Sequence, residues 1–354
     1  MSHDAPLRHW ALGLGLGGLG GGLFAGLDLP LPWMLGALAA TITASLSGWR
    51  PEVPQHLRTA MIAVLGLMLG SAFSPDLSDR VGRWAGSMAT LLAAMIVTTA
   101  LVTLYLRRMA RMDPVTAFFA GAPGGINEMV VTGGALGGDE PTIALSHSLR
   151  ILLIVFTVPF GYRLIAHMDS VPMAQSMGRL MDLGGVDALV MAGCALIGGA
   201  LARLVRLPAW MLTGPMIASA GLHLAGLTVS KPPAELVILA QVATGAAIGS
   251  RFRGLSWTEV ARMARPALGA TAIMLVVSAA AAGLLAIASG LPFPALLLAF
   301  VPGGIAEMCL VALALGQDVA FVSTHHVARV VLVIMLAPLA FRFLSGGRSL
   351  LKKS

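Results

Sequence analysis

"AFFAGAPGGINEMVVTGGALGG", from Ala117 to Gly138, lies inside a chain otherwise suited to lipid. A helix crossing a bilayer has little use for Pro-Gly-Gly at its middle. Proline removes a backbone donor and resists helix continuation, and glycine reaches torsions that other residues avoid. A carboxylate, Glu128, follows the second glycine at three residues' distance. The same arrangement recurs as "AFVPGGIAEMCLVALALGQ" at Ala299–Gln317. Such a break is tolerable at membrane depth only where protein or a wet cavity surrounds it.

The rest of the chain justifies speaking of a membrane. Its 354 residues are 57% hydrophobic and 11% charged, with a mean hydropathy of +0.87. Soluble domains carry about a quarter charged residues, so a polytopic membrane protein is expected. Apolar runs occupy 10–27, 33–49, 59–73, 84–106 and 143–162, then 188–202, 207–229, 236–250, 266–291 and 319–341. Most approach the roughly 20 residues that cross a bilayer core, and every span must be helical because lipid offers the backbone no partner. The first run resembles a signal peptide, but its internal counterpart favours a retained span.

The net charge of +7 raises nucleic acid as a partner. The Lys and Arg residues lie mostly in short loops between apolar runs, which orients a membrane protein and leaves no basic soluble domain. No nucleic-acid partner is expected. Cys194 and Cys309 stand in apolar segments without a CxxC pair, so neither a metal site nor any cofactor is expected.

The chain is a duplication. Sliding it by 179 residues, Pro123 onto Pro302, aligns residues 123–150 with 302–329 without a gap. Identities include Gly124/Gly303, Gly125/Gly304, Ile126/Ile305, Glu128/Glu307, Met129/Met308, Asp139/Asp318, His147/His326 and Arg150/Arg329. The same offset pairs "GLMLGS" (Gly66–Ser71) with "GAAIGS" (Gly245–Ser250), and a small slip sets "PWML" at Pro32 against "PAWML" at Pro208. Long internal repeats of this kind are typical of secondary transporters. The expected division is a first transmembrane repeat over 1–165, an interfacial linker over 166–184 and a second repeat over 185–354.

Two topologies compete. A broken segment that crosses fully gives six spans per half and parallel halves. One that dips in and returns gives five spans per half and inverts the second. With the N-terminus inside and the broken segments re-entrant, only Arg80, Arg83, Arg163, Arg179 and Lys231 fall outside, whereas the six-plus-six plan puts eight basic residues outside, the Arg251–Arg265 cluster among them. The positive-inside rule therefore favours inversion. The expected fold class is all-α and polytopic: two inverted repeats, each of about five transmembrane helices plus one re-entrant Pro-Gly-Gly hairpin. Both termini are then cytoplasmic. Two inverted tips would meet near the midplane and present helix-end N–H groups, which favour an anion.

Intramembrane charges need a partner or a purpose, since each costs roughly 3 kcal/mol or more at the bilayer centre. Glu128 and Glu307 follow the tips, Asp139 and Asp318 close the hairpins, and His147/Arg150 and His326/Arg329 form an HxxR sharing one helix face. One reading makes Glu128–Arg150 and Glu307–Arg329 buried ion pairs. The other has the arginines bind an anionic substrate while a glutamate or histidine carries the coupling proton. On the second reading the substrate-binding set is Gly124, Gly125, Asn127, Glu128, Arg150, Gly303, Gly304, Glu307 and Arg329, with His147 and His326 coupling a proton or sodium ion. Asn127 stands opposite Ala306, and Ser146 opposite His325. The string "GLGLGGLGGG" (Gly13–Gly22) has no strand before it and suits close helix packing better than nucleotide binding.

At these residues the chain resembles the AbrB membrane-protein duplication family, whose halves carry this PGGxxEM element and the following HxxR. That family shares only a name with the small soluble DNA-binding AbrB proteins. The resemblance covers nearly the whole chain and implies a multi-pass protein of the bacterial inner membrane. The family's inherited titles include ammonia monooxygenase and regulator of gene expression. Eight scattered histidines do not supply the ligand cluster a copper enzyme needs, and no segment is free to be a DNA-binding module. The hairpin-plus-repeat plan is also similar to that of the glutamate and citrate carriers, a likeness of architecture that fixes no substrate. Two functions stand: a secondary transporter of a small anion, most simply a carboxylate, or a membrane sensor that affects gene expression indirectly without transport. Neither is an enzyme. The bilayer and a small anion are the expected partners, and association of identical chains is left open.

Overall fold

The computed structural model describes residues 4–73, 75, 82, 84–165 and 177–344; Ser170 and most of the expected linker lie outside them. Every regular element among the described residues is helical. Among the described residues, five helices are long and apolar enough to cross a bilayer: Trp84–Met109, Glu140–Leu164, Gly185–Leu204, Trp257–Ser289 and Val319–Ala337. The chain is a multi-pass helical membrane protein.

Two compact units emerge, and they cut across the sequence halves. The first takes Met1–Gly82, Phe156–Glu259 and Ala306–Ala320; the second takes Arg83–Val155, Val260–Ile305 and Phe321–Ser354. Each unit therefore draws on both copies of the duplication.

In the first unit, α1 (Asp4–Gly26), α2 (Pro32–Leu46) and α3 (Gln55–Gly70) come from the first copy. The second copy supplies α8 (Gly185–Leu204, with a π turn at Cys194–Gly198), α9 (Trp210–Leu224) and α10 (Ala234–Gly249). Glycine sets the packing because lipid gives helices no hydrophobic reason to associate, so close backbone approach must do so. A Cβ on Gly20 would overlap the Gly36 carbonyl, and one on Gly214 would overlap that of Gly198, so α1 meets α2 as α8 meets α9. The copies then exchange partners. Gly66 of α3 lies against the Leu212 carbonyl of α9, and its repeat Gly245 of α10 lies against the Met34 carbonyl of α2.

The entry turns repeat as well. Asp28 and Leu31 have positive φ (51° and 45°), as do Arg206 and Ala209 (56° and 50°). This backbone match aligns Pro30 with Pro208, not Pro32 with Pro208 as the letters PWML suggest. Each turn ends on a left-handed residue immediately before its helix, and that geometry sets the register.

In the second unit, α4 (Trp84–Met109) packs through Val102 and Leu106 on Ala117 and Ala120 of α5 (Pro114–Gly121) and on Ala270 and Met274 of α11 (Trp257–Ser289). The Asp113 carboxylate accepts the Val115 and Thr116 N–H groups at 3.0 Å each, and Pro114 fills the first helical position, so α5 starts sharply. It runs only eight residues, about 12 Å, far short of a bilayer core. After the break, α6 (Ile126–Ala135) leads to α7 (Glu140–Ile165). The chain has folded back by then: the Asp139 N–H donates to Thr116 Oγ1 at 2.8 Å, and Gly133 abuts Phe119. The second copy repeats these pieces as α12 (Phe293–Phe300) and α14 (Val319–Leu344), while all but the first residue of its α13 (Ile305–Ala314) belongs to the first unit.

Both ten-residue helices end alike. Gly137 and Gly316 take positive φ, with Gly138 N–H on the Gly133 carbonyl and Gln317 N–H on the Ala312 carbonyl, both at 2.8 Å.

Candidate functional site: two clamped helix breaks

A helix that stops inside protein leaves its last carbonyls without donors, and each one left so costs about 1–3 kcal/mol. In the first copy those carbonyls belong to Phe119, Ala122 and Gly124. His147 and Arg150, three residues apart on α7, supply the donors. His147 Nε2 stands 2.8 Å from the Phe119 carbonyl, which makes it the protonated nitrogen. Arg150 forks onto Ala122 O at 3.2 Å and Gly124 O at 3.1 Å. The Gly124 N–H closes a tight turn onto Ala122 O at 2.8 Å.

The second copy reproduces all four bonds at the same offset. His326 Nε2 meets Leu298 O at 2.9 Å, and Arg329 donates to Val301 O at 2.8 Å and Gly303 O at 2.6 Å. Gly303 N–H turns onto Val301 O at 2.9 Å. All four side chains are buried, with Arg150 at 6% and Arg329 at 3% exposure. The HxxR is a clamp that holds the break open and satisfied.

One expected pairing therefore changes. Glu128 and Arg150 form no ion pair; two guanidinium nitrogens go to carbonyls that helix termination left unpaired, while Arg150 Nε has no hydrogen-bond partner. The glycines also act differently from expectation. None of Gly124, Gly125, Gly303 and Gly304 has a positive φ. Space is what Gly124 and Gly125 provide: a Cβ on Gly124 would come within 2.8 Å of Met129 Sδ and Val333 Cγ1, and one on Gly125 would strike the Glu128 carboxylate.

The Val333 contact brings the copies together. Val333 lies four residues beyond Arg329 on α14, hence one turn along the same face. The first break thus rests on the helix that clamps the second, and Phe341 farther along α14 packs on Phe118 and Phe119 at ring distances of 5.4 and 5.6 Å.

A duplicated PGGxxEM break with an HxxR clamp is the arrangement the family resemblance rests on, and comparison with known proteins agrees. A family model described as "Transition state regulatory protein AbrB" matches residues 33–345. The chain belongs to the AbrB family. It is similar to "Uncharacterized protein YhjN" of Bacillus subtilis (strain 168), 26% identical over 349 residues that cover 92% of this chain and 90% of the relative. It is also similar to "Putative regulator AbrB" of Escherichia coli (strain K12), 24% identical over 323 residues covering 91% and 92%.

In this AbrB-family chain the two tips differ where the clamps agree. Asn127 is exposed and Glu128 half-buried, whereas Ala306 is buried and Glu307 only 8% exposed. Glu307 accepts its own backbone N–H, and Arg58 and Arg251 are the basic groups whose charge acts on it. Asp139 turns out to be the cap of α7, accepting the Thr142 N–H at 3.2 Å. Outside the expected set, the Ser87 hydroxyl lies 2.8 Å from His325 Nε2, while His325 Nδ1 donates to Phe321 O at 2.7 Å. In the first copy Ser146 takes the place of His325, and its buried hydroxyl has no partner. The only sequence signal for this pairing was the Ser146/His325 mismatch.

Proposed function

We propose that this AbrB-family protein is a secondary transporter, not an enzyme, that moves a small anion, most simply a carboxylate, across the bacterial inner membrane. The observation that carries the reading is the pair of identically clamped breaks, with Gly124 of one seated a single turn from Arg329 of the other. Helix breaks of this kind, buried in protein and held open by dedicated donors, are how transporters expose backbone polarity to a substrate.

The start of α6, with Gly125, Asn127 and Glu128, would meet the anion through its N–H groups, and Gly303 and Gly304 would shape the second tip. Arg150 and Arg329 would position both tips, and the buried Arg150 Nε–H, which has no partner, would be a donor left for a substrate that opened the tip. Glu307, the repeat of Glu128, would take the equivalent part within its own unit. Protons are the simpler coupling ion. A glutamate suits that task better than His147 or His326, since each histidine already commits Nε2 to a carbonyl.

We further propose that each half has about five spans plus one re-entrant hairpin, that the halves are inverted and that both termini are cytoplasmic. Supporting this are the short α5, the return of Asp139 to Thr116 and the loop charges. A cysteine at Ser170 should then react with an impermeant reagent added outside intact cells. Labelling only from the cytoplasmic side would instead favour six spans per half.

The competing function is a ligand-binding membrane sensor, favoured by the regulator name of the Escherichia coli relative. Counterflow in proteoliposomes separates the two. Exchange of a labelled small carboxylate, lost when Asn127 becomes Ala, supports transport; saturable binding without flux supports the sensor and ends the transport reading.

A further inference from the structure

The second unit holds a groove of about 530 Å³ between α4 and α14, floored by α5 and the first break. We propose that it binds one anionic phospholipid, with the phosphate at Arg107 and an acyl chain lying along the groove as far as Pro123. This inference does not depend on whether the protein transports anything.

Four features fit that occupant. The α4 wall runs Leu92, Ile96, Thr99, Thr103, Arg107 in steps of three and four, one helix face about 22 Å long. One leaflet of a bilayer core is roughly 15 Å deep, so the groove takes a chain and still reaches headgroup level. The groove opens sideways between partly exposed apolar residues, Ile96 and Leu336, as a lipid-facing cleft should.

Arg107 is the charged residue of the lining and stands in the last turn of α4, where a cation is suited to a phosphate. One turn deeper on the same face, the fully buried Thr103 hydroxyl has no hydrogen-bond partner. A glycerol ester carbonyl lies about that depth below its phosphate, about 5.4 Å along the helix, and would accept from it. The inner end of the groove is Ala122, Pro123 and Val333, so the chain end would press on the break that Arg150 clamps. Residues 345–354, which follow α14, carry Arg348, Lys352 and Lys353 and share the sign of Arg107, which disfavours them as the occupant.

The test is native mass spectrometry of the full, delipidated chain titrated with phosphatidylglycerol or phosphatidylcholine of matched acyl chains. One phosphatidylglycerol should be retained per chain with about tenfold preference. Arg107→Gln should erase that preference, whereas Arg108→Gln, outside the lining, should keep it. Thr103→Val should weaken retention several-fold without changing the fold, and Ala100→Phe should reduce retention of both lipids. The proposal is overturned if Arg107→Gln and Thr103→Val bind phosphatidylglycerol as the parent does. Displacement of the lipid by millimolar inorganic phosphate alone, which would mean a headgroup site without a chain, also overturns it. So does a rise in retention when the chain ends at Leu344, which would make the tail the natural occupant.

Discussion

The two broken segments are one design used twice: the clamp on the stopped helix is the same in both, whereas the entry differs, Asp113 and Thr116 of the first copy giving way to Pro292 and Ala295. Both keep proline, two glycines, a tight turn and a His–Arg clamp whose bond lengths agree within about half an ångström. Past the turn they diverge: Asn127 and a half-buried Glu128 in one, Ala306 and a buried Glu307 in the other. The carbonyls of a stopped helix impose the same requirement on each copy, so the clamp could not drift. The tip side chains carry no such debt and were free to specialise. Chemistry should therefore reside in the differences and stability in the identities.

That division can be broken most decisively at the arginines. Arg150→Lys and Arg329→Lys should each destabilise by about 3 kcal/mol or more, because an ammonium cannot fork onto two carbonyls, and both should lose folded protein in thermal unfolding. Equal stability of either variant with the parent would refute the clamp. Next in size, Gly124→Ala should cost about 1–3 kcal/mol by overpacking, and Val333→Ala should restore much of it. Absence of rescue would make Met129, the other close neighbour of Gly124, the contact that overpacks. His147→Leu and His326→Leu should each cost about 1–3 kcal/mol, and similarly in the two copies, whereas a glutamine that still donates should cost less. Unequal losses would show that one histidine has a further task.

The smaller effects sharpen the contrast between the tips. Asn127→Ala should change stability by no more than about 0.5 kcal/mol yet reduce counterflow strongly, separating recognition from folding. Smallest of all, Asp139→Asn should cost a few tenths of a kcal/mol and leave flux intact, since asparagine caps a helix as well as aspartate.

The location of the breaks was readable in advance because proline and glycine act locally and the duplication repeats them with their neighbours. The reason for the HxxR was not. Its partners are backbone carbonyls at Phe119, Ala122, Gly124 and their repeats, and a carbonyl is the same at every position. A motif of two charged or titratable residues inside a membrane invited a ligand or an ion pair, when part of the answer was the protein's own chain. The glycines misled in a related way. Pro-Gly-Gly suggested unusual torsions, but the constraints on Gly124 are Met129 in its own tip and Val333, more than two hundred positions away.

Composition and internal repetition, by themselves, determined that this chain is helical, lives in a membrane, is built from two related halves and interrupts each half at Pro-Gly-Gly. Those properties follow from local preferences and from the bilayer's refusal to solvate a bare backbone. Only the tertiary structure decided that the halves exchange helices, with Gly66 on Leu212 and Gly245 on Met34, and that both clamps fall within one compact unit. Helix pairing in lipid is selected by the closeness of backbone approach, and that depends on which surfaces meet in three dimensions rather than on any spacing along the chain.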